Sequence, residues 1–514
     1  MSSSASSSTS GGSSSGASQN ETSSTRNPSS SAPSSATSLS RSVPGDGPRR
    51  LDRTHRLREA WRSISPAQLL VGSFLVLIAL GTLGFRLLPG LYTGASLSWL
   101  DALFTATSAV CVTGLIVVDT ATYFTVWGQA YVLLLIQLGG LGIISLTSIF
   151  IVALGQRLSL RHQALATGPS RLVADIDYRD LTRAVLWFTL GIEAAGALAL
   201  YLAWAPDLGW TGAVWPAVFH SISAFCNAGF STFSTSLSGF QHNVPLLLVV
   251  MGLIVVGGLG FLTLEELYLW SRGHTASSGR FRMSIHSQLV LGTSAALLVL
   301  GGVAFTAFEW ENTLAGMPAG ARVVNGLFAS VTPRTAGFNT IDYAETWTHT
   351  NMLTILFMTI GGSPGSTAGG LKTTTFALLG LLAWARLRGM TTTSISGRTI
   401  PGTTLQKATG LLVVGLGLLT AGIFVYSVVE VEGIAETSSS AAFIDVVFEA
   451  ASAFNTVGLS TGITGDLSVS GRWTTIVLMF IGRVGPLTLA AALSRNRRRA
   501  VRTVRYAHED VVVG

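Results

Sequence analysis

Charge is scarce in this chain. Only 11% of its 514 residues are Asp, Glu, Lys or Arg, against about 25% in a soluble globular domain. With 48% hydrophobic residues, that scarcity excludes a water-soluble globule and leaves a polytopic membrane protein. Roughly the first 48 residues lack the opposite ingredient, an apolar run. They are Ser-rich with scattered Gly, Thr and Pro, cannot bury enough surface to offset their ordering entropy, and read as disordered. They also lack the h-region of a signal peptide. The N-x-T at Asn20 is then a chance match on a cytoplasmic end. No catalytic triad, metal cage or nucleotide loop is legible, so no enzyme activity is expected. LGGLGIIS and VGGLGFLT have no βαβ context, and in GGLKTTT the intervening Leu371 spoils Walker spacing.

The net charge of +7 could point to nucleic acid, but its distribution argues against that. Arg49, Arg50, Arg53, Arg56, Arg58 and Arg62 precede the first apolar segment, and Arg495, Arg497, Arg498, Arg499, Arg502 and Arg505 follow the last. Apolar segments of spanning length lie near 67–89, 126–155, 182–205, 243–271, 285–308, 350–385, 408–430 and 472–494. The links at 157–171, 272–282 and 386–407 are basic. The opposite links hold Asp119, Asp207, Glu309, Glu311, Glu430, Glu432 and Glu436. Basic residues mark the cytoplasmic side, so both termini are placed inside and eight spans are expected.

The spans pair up. Between the members of each pair sits a shorter, semi-polar stretch: LDALFTATSAVCVTGL, PAVFHSISAFCNAGF, NGLFASVTPRTAGF and DVVFEAASAFNTVGL. Each ends on a glycine and a large apolar residue. The glycines, Gly114, Gly229, Gly337 and Gly458, are spaced by 115, 108 and 121 residues, which marks internal repeats. A second cluster follows in register. GGLG begins at Gly139 and Gly257, GGSPG at Gly361 and GRVG at Gly482, offset by 25, 28, 24 and 24 residues.

The resulting fold is all-α: four pseudo-fourfold repeats of span, re-entrant pore helix, turn and span around a central pore. Its expected boundaries are a head with an Arg cluster (1–60), repeats at 61–160, 161–280, 281–398 and 399–496, and a tail at 497–514. Irregular backbone at membrane depth survives only inside protein or beside a water-filled cavity. Four turns facing one axis can present carbonyl oxygens in place of a cation's hydration shell, helped by the negative ends of the re-entrant helices. The candidate filter is Val112, Thr113 and Gly114; Asn227, Ala228 and Gly229; Thr335, Ala336 and Gly337; and Thr456, Val457 and Gly458. With one glycine per turn, it is expected to be short and to discriminate weakly among monovalent cations. Cys111 and Cys226, in equivalent positions, read as small residues beside it.

These residues resemble the TrkH/KtrB family of potassium-uptake subunits. The resemblance covers about 60–494 and rests on VTGL at 112–115, CNAGF at 226–230, TPRTAGF at 332–338, NTVGLS at 455–460, GGSPGSTAGGLKTTT at 361–375 and GRVGPLTL at 482–489. The last two look more like the KtrB branch. The resemblance implies a homodimer in the bacterial inner membrane, with one pore per protomer, seated on a cytosolic RCK ring of the KtrA or TrkA kind. That ring would bind the nucleotide, ATP, ADP or NAD. It further implies potassium uptake, stimulated by sodium in the Ktr branch. It carries a gate onto the intramembrane loop 361–372, formed by Gly361, Gly362, Ser363, Pro364, Gly365, Ser366, Thr367, Ala368, Gly369 and Gly370, together with Lys372 and Arg483. The Ser-rich head departs from the family's core.

Charges inside a membrane need a cavity or a partner. Arg483 is read as facing the pore, where its charge would repel cations. Lys372 either faces the pore, snorkels to the interface or pairs with an acid. Arg334 either tunes cation entry from the outer side or pairs with Asp342 or Glu345. Glu265 and Glu266 read as interfacial. The competing function is a sodium-coupled, alternating-access cation symporter, for which broken helices are also a mark. The repeats here share one orientation, which favours a conduit. A receptor or scaffold would need no matching turns.

Overall fold

The computed structural model describes residues 66–153, 178–271, 283–434 and 439–493. The chain divides after Arg62, and every described residue belongs to the second unit. The Ser-rich head, the terminal arginine clusters, the basic links at 157–171 and 272–282, and Glu436 lie outside the described residues.

The described chain is helical apart from a small hairpin, β1 (Ser394–Ile395) with β2 (Arg398–Thr399). One order of elements recurs four times. Unit one is α1 (Pro66–Leu87), α2 (Trp99–Val110) and α3 (Val126–Ala153). Unit two is α4 (Tyr178–Leu208), α5 (Val214–Phe225), α6 (Val244–Leu259) and α7 (Phe261–Ser271). Unit three is α8 (Ile285–Glu309), α9 (Ala319–Val331), α10 (Thr348–Thr359) and α11 (Thr373–Leu387). Unit four is α12 (Gly402–Ile434), α13 (Ser439–Asn455), α14 (Val469–Val484) and α15 (Pro486–Leu493). A Gln68 Nε2 to Ala492 O bond of 3.2 Å joins the start of α1 to the end of α15 and defines a terminal face.

The first member of each pair is a single helix long and apolar enough to cross a membrane: Ala67–Leu87, Val185–Leu208, Ile285–Glu309 and Gly402–Glu430. The second helices α2, α5 and α9 have only 12 or 13 residues, about 18–20 Å at 1.5 Å per residue, too short to span. Exposed tryptophans mark two belts. Trp99, Trp127, Trp210, Trp347 and Trp473 lie near helix ends on the face opposite the termini, and Trp270 and Trp384 lie toward the terminal face. Such belts sit at membrane interfaces.

The acids on the opposite face do more than mark topology. At the end of α4, Asp207 Oδ2 accepts from Asn243, the N-cap of α6, at 3.2 Å. At the end of α8, buried Glu309 accepts from Trp347 N at 3.0 Å and Thr350 Oγ1 at 2.5 Å, where α10 begins. On α12, Glu430 accepts from Ser468 Oγ, the N-cap of α14, at 2.6 Å. Each carboxylate is bonded to the N-cap residue, at the positive end of the helix that starts beside it. The first spans of units two, three and four, α4, α8 and α12, are thus tied at one end to α6, α10 and α14 by the same device.

The units close into a ring. Within each, the first span packs on its own short helix: α1 on α2, α4 on α5, α8 on α9, α12 on α13. Between units, the helix after each turn packs on the following unit's re-entrant helix: α3 on α5, α6 on α9, α10 on α13 and α14 on α2. An ion pair, Arg472 to Asp101 at 2.5 Å, seals the last of these junctions.

The four glycine clusters do not all behave alike. Only α3 runs on unbroken through its cluster. The α6 and α7 helices meet at 106°, with Gly260 at φ 83°, and α14 stops before Gly485 at φ 85°. Each break falls on the fourth residue of the cluster, where a glycine adopts a left-handed conformation without steric cost. The first residue of the cluster has a separate duty. A Cβ on Gly139, Gly257 or Gly482 would overlap the carbonyl oxygen of Val110, Phe225 or Phe454 respectively. All three carbonyls lie four residues before the turn glycine of their own unit. Glycine lets the long helix approach the end of the short one.

Candidate functional site

The four turns share an unusual backbone. Val112, Asn227, Thr335 and Thr456 have φ of 55°, 58°, 72° and 52°, and Gly114, Gly229, Gly337 and Gly458 have φ of 95°, 72°, 78° and 92°. A left-handed conformation is strained for a non-glycine residue, and strain of this kind clusters at functional sites. Here it recurs at one position, two before the glycine, in every unit. Alternating the sign of φ turns successive peptide planes the same way, so neighbouring carbonyls face one side.

The turns meet. A Cβ on Gly114 would overlap the Ala228 carbonyl oxygen. One on Gly229 would lie 2.9 Å from the Ala336 oxygen, and one on Gly337 would lie 2.6 Å from the Val457 oxygen. One on Gly458 would overlap the Thr113 oxygen. Each glycine therefore abuts the carbonyl before the next unit's glycine, and the sequence of contacts closes on itself. The hydroxyls of Thr113, Thr335 and Thr456 are buried with no partner among the described residues.

A short-helix hydroxyl holds each turn. Ser108 Oγ accepts from Gly114 N at 3.1 Å and donates to Leu115 O at 2.7 Å. Ser223 Oγ donates to Phe230 O at 2.8 Å, and Ser452 Oγ accepts from Gly458 N at 3.1 Å. These three serines stand six residues before the glycine. In unit three the task falls to Thr332, five before, which donates to Phe338 O. Backbone bonds repeat the difference: Thr113, Ala228 and Val457 donate to the three serine carbonyls at 2.8 Å, whereas Ala336 donates to Thr332 O at 3.0 Å.

Beneath the ring, on the terminal side, residues 361–372 leave helical geometry and cross toward units two and four. The ends are closed by Gly361 N to Leu371 O at 2.8 Å and Thr373 N to Gly362 O at 3.1 Å. The middle docks on the elbow between α6 and α7. Ser363 N donates to Gly258 O at 3.0 Å, Thr367 N to Gly257 O at 3.3 Å, and Phe261 N to Gly365 O at 3.3 Å. A helix that stops leaves its last carbonyls without partners, and the loop supplies them. Thr367 Oγ1 adds bonds to Phe225 O at 3.2 Å and Gly257 O at 3.1 Å. From unit four, Arg483, 5% exposed, donates to Thr367 O and, at 3.5 Å, to Gly139 O of unit one. The loop is thus bonded to units two and four, and Arg483 links it to unit one.

Converging carbonyls can hold a dehydrated cation. Among known proteins, residues 51–497 match the TrkH family of cation transport proteins. This chain belongs to the TrkH family. The potassium/sodium uptake protein NtpJ of Enterococcus hirae is 37% identical to it over 454 residues, covering 88% of this chain and 98% of NtpJ. Ktr system potassium uptake protein B of Vibrio alginolyticus is 37% identical over 426 residues, 82% of this chain and 90% of that one. Its Bacillus subtilis counterpart is 36% identical over 459 residues, 88% and 98%. The crystal structure of the potassium transporter TrkH from Vibrio parahaemolyticus superposes with a TM-score of 0.66 at 21% identity, over 84% of this chain and 86% of that one. At that identity the likeness speaks for the fold.

In this TrkH-family chain, several intramembrane side chains sit where sequence reasoning does not put them. Arg334 neither lines an outer entrance nor pairs with Asp342 or Glu345. It is buried and donates to Ser294 Oγ at 3.0 Å and Ser294 O at 3.5 Å, deep in α8. The reason is its position three before Gly337, shared with Cys111, Cys226 and Asn455, where the re-entrant chain is farthest from the mouth. Lys372 neither snorkels nor meets an acid; its Nζ folds back onto Ala368 O at 2.7 Å and Gly369 O at 3.3 Å. Cys111 and Cys226 are both free and buried. Sequence reasoning passes over Glu193, which is 4% exposed in the middle of α4. Its oxygens accept from Gln137 Nε2 at 2.9 and 3.1 Å, and Cys226 Sγ donates to Gln137 Oε1 at 3.3 Å. An acid inside an apolar span is itself a signal. His220 and Glu449, each 0% exposed on a re-entrant helix, are likewise passed over.

Proposed function

We propose that this protein carries potassium into the cell through a gated, channel-like pore in the bacterial inner membrane. The observation that supports this reading best is the closed ring of Gly114, Gly229, Gly337 and Gly458, each against the carbonyl of the next unit. In this reading Val112–Gly114, Asn227–Gly229, Thr335–Gly337 and Thr456–Gly458 are the selectivity filter, and repeats 61–160, 161–280, 281–398 and 399–496 are the four quarters of the pore. Relatives named for potassium uptake, and one for potassium/sodium uptake, support the choice of cation. The loop 361–372, with Lys372 and Arg483, is the gate. Its docking on the α6–α7 elbow uses only backbone and hydroxyl groups, so a change at that elbow together with loss of the Arg483 bond would release it.

Both termini lie in the cytoplasm, which suits the exposed Arg386, Arg388, Arg398 and Lys407 on the terminal face. The working unit is a homodimer on a cytosolic nucleotide-binding RCK ring, and sodium stimulates it; the Ktr system names of the relatives accord with a multi-subunit assembly. The broken α6–α7 and α14–α15 helices also suit an alternating-access symporter, but the parallel repeats and closed ring suit a conduit better. The test is rubidium and sodium uptake in cells stripped of their own potassium uptake, with and without the RCK partner. Saturable rubidium uptake that depends on the partner supports the reading; no uptake with protein present in the membrane refutes it.

A further inference from the structure

Two of the four re-entrant helices carry a polar strap above the filter. In unit two, His220 stands nine residues before Gly229 and Ser231 two after it. His220 Nδ1 lies 2.8 Å from Pro216 O, and Nε2 lies 2.9 Å from Ser231 Oγ. A carbonyl only accepts, so Nδ1 carries the proton and Nε2 accepts from the Ser231 hydroxyl. Ser231 Oγ in turn accepts from Phe233 N at 3.0 Å.

Unit four repeats the pattern. Glu449 stands nine before Gly458 and Ser460 two after it. The Ser460 hydroxyl donates to Glu449 Oε1, and Ser460 Oγ accepts from Gly462 N at 2.8 Å. Thr464 Oγ1 adds a bond to Glu449 Oε2 at 2.9 Å. Units two and four are opposite each other in the ring. Units one and three hold Thr105 with Ile116 and Phe328 with Asn339 at these positions, which cannot build the strap.

The two straps differ in charge. The imidazole in unit two places Nδ1 on a carbonyl, whereas each Glu449 oxygen faces a hydroxyl, an arrangement that accommodates an ionised carboxylate. It is 0% exposed, and no basic side chain among the described residues pairs with it. Asp445, half-buried one turn earlier, is a second acid and supplies no neutralising charge. Glu449 lies one helical turn before Ser452, whose Oγ holds Gly458 N at 3.1 Å. In a low-dielectric setting a charge this near the filter acts on a cation there with little screening.

We propose that Glu449 sets the affinity of the filter for its cation. Its buried, unneutralised carboxylate attracts the ion, while the matching His220 strap holds the backbone without charge. The proposal rests on the conduction reading above.

Rubidium uptake kinetics in potassium-uptake-deficient cells carrying the RCK partner test it, with protein abundance measured in the same membranes. Glu449→Gln keeps the size and removes the charge. It should raise KM about fivefold or more, roughly 1 kcal/mol of lost attraction, with Vmax per protein held within about twofold. His220→Glu places a second carboxylate in the matching strap and should lower KM. A strap that is merely structural would lower abundance or Vmax in both variants and leave KM alone. An unchanged KM in Glu449→Gln overturns the proposal. If that variant does not reach the membrane, an unchanged or raised KM in His220→Glu overturns it. Absence of saturable uptake by the unaltered protein would instead refute the conduction reading.

Discussion

The Arg483 guanidinium of unit four donates to the backbone carbonyl of Thr367, the middle of the unit-three loop. That one bond joins the most buried charge beneath the ring to the least regular backbone there. In the proposed gate it is the latch, and a charged hydrogen bond is worth about 1.5–3 kcal/mol.

Arg483→Ala removes both the latch and the positive charge. Rubidium flux without the activating partner should rise by about tenfold or more, since 1.4 kcal/mol is a factor of ten in a population. Unchanged or lower flux at normal abundance would count against the gate.

Thr367→Val leaves the carbonyl that Arg483 uses and deletes the hydroxyl bonded to Phe225 O and Gly257 O. At about 0.5–1.5 kcal/mol per neutral bond, basal flux should rise less than in Arg483→Ala. Because the two residues hold one segment, the double variant should depart from additivity. Strictly additive effects in flux measurements would mean that the loop does not move as one piece.

Gly482→Ala probes the other role of the clusters. Its Cβ would overlap the Phe454 carbonyl, and overpacking of this kind costs about 1–3 kcal/mol. The purified protein in detergent should melt several degrees lower. Gly410→Ala, with nothing within 4 Å of the added carbon, serves as the control and should melt no lower. Equal melting temperatures would remove the packing argument.

The repeats, the turn glycines and the short helices were legible because each leaves a composition mark: an apolar run of spanning length, or a glycine at a fixed period. The positive φ of Val112, Asn227, Thr335 and Thr456 was not, because four different contexts hide one conformation that only the ring enforces. The breaks at Gly260 and Gly485 were also hidden. A cluster such as GGLG serves close packing at its first residue and a kink at its fourth, and the same letters at Gly139 remain helical. Arg334 misled because its distance along the chain from the acids is short, while its direction depends on where the re-entrant chain turns. The roles of Glu193, Glu449 and His220 are not legible in the sequence, although each is a polar residue in an apolar setting. What conceals their roles is that their partners, Gln137, Ser460 and Ser231, are 56, 11 and 11 residues away and unremarkable alone.

The central claim is that the ring conducts, and Gly458→Asp tests it most directly. An aspartate there must adopt a φ of 92° and would drive its Cβ into the Thr113 carbonyl. Rubidium uptake should fall to the level of cells lacking the protein, with the variant present in the membrane at normal abundance. Uptake with unaltered KM and Vmax in that variant would contradict the account.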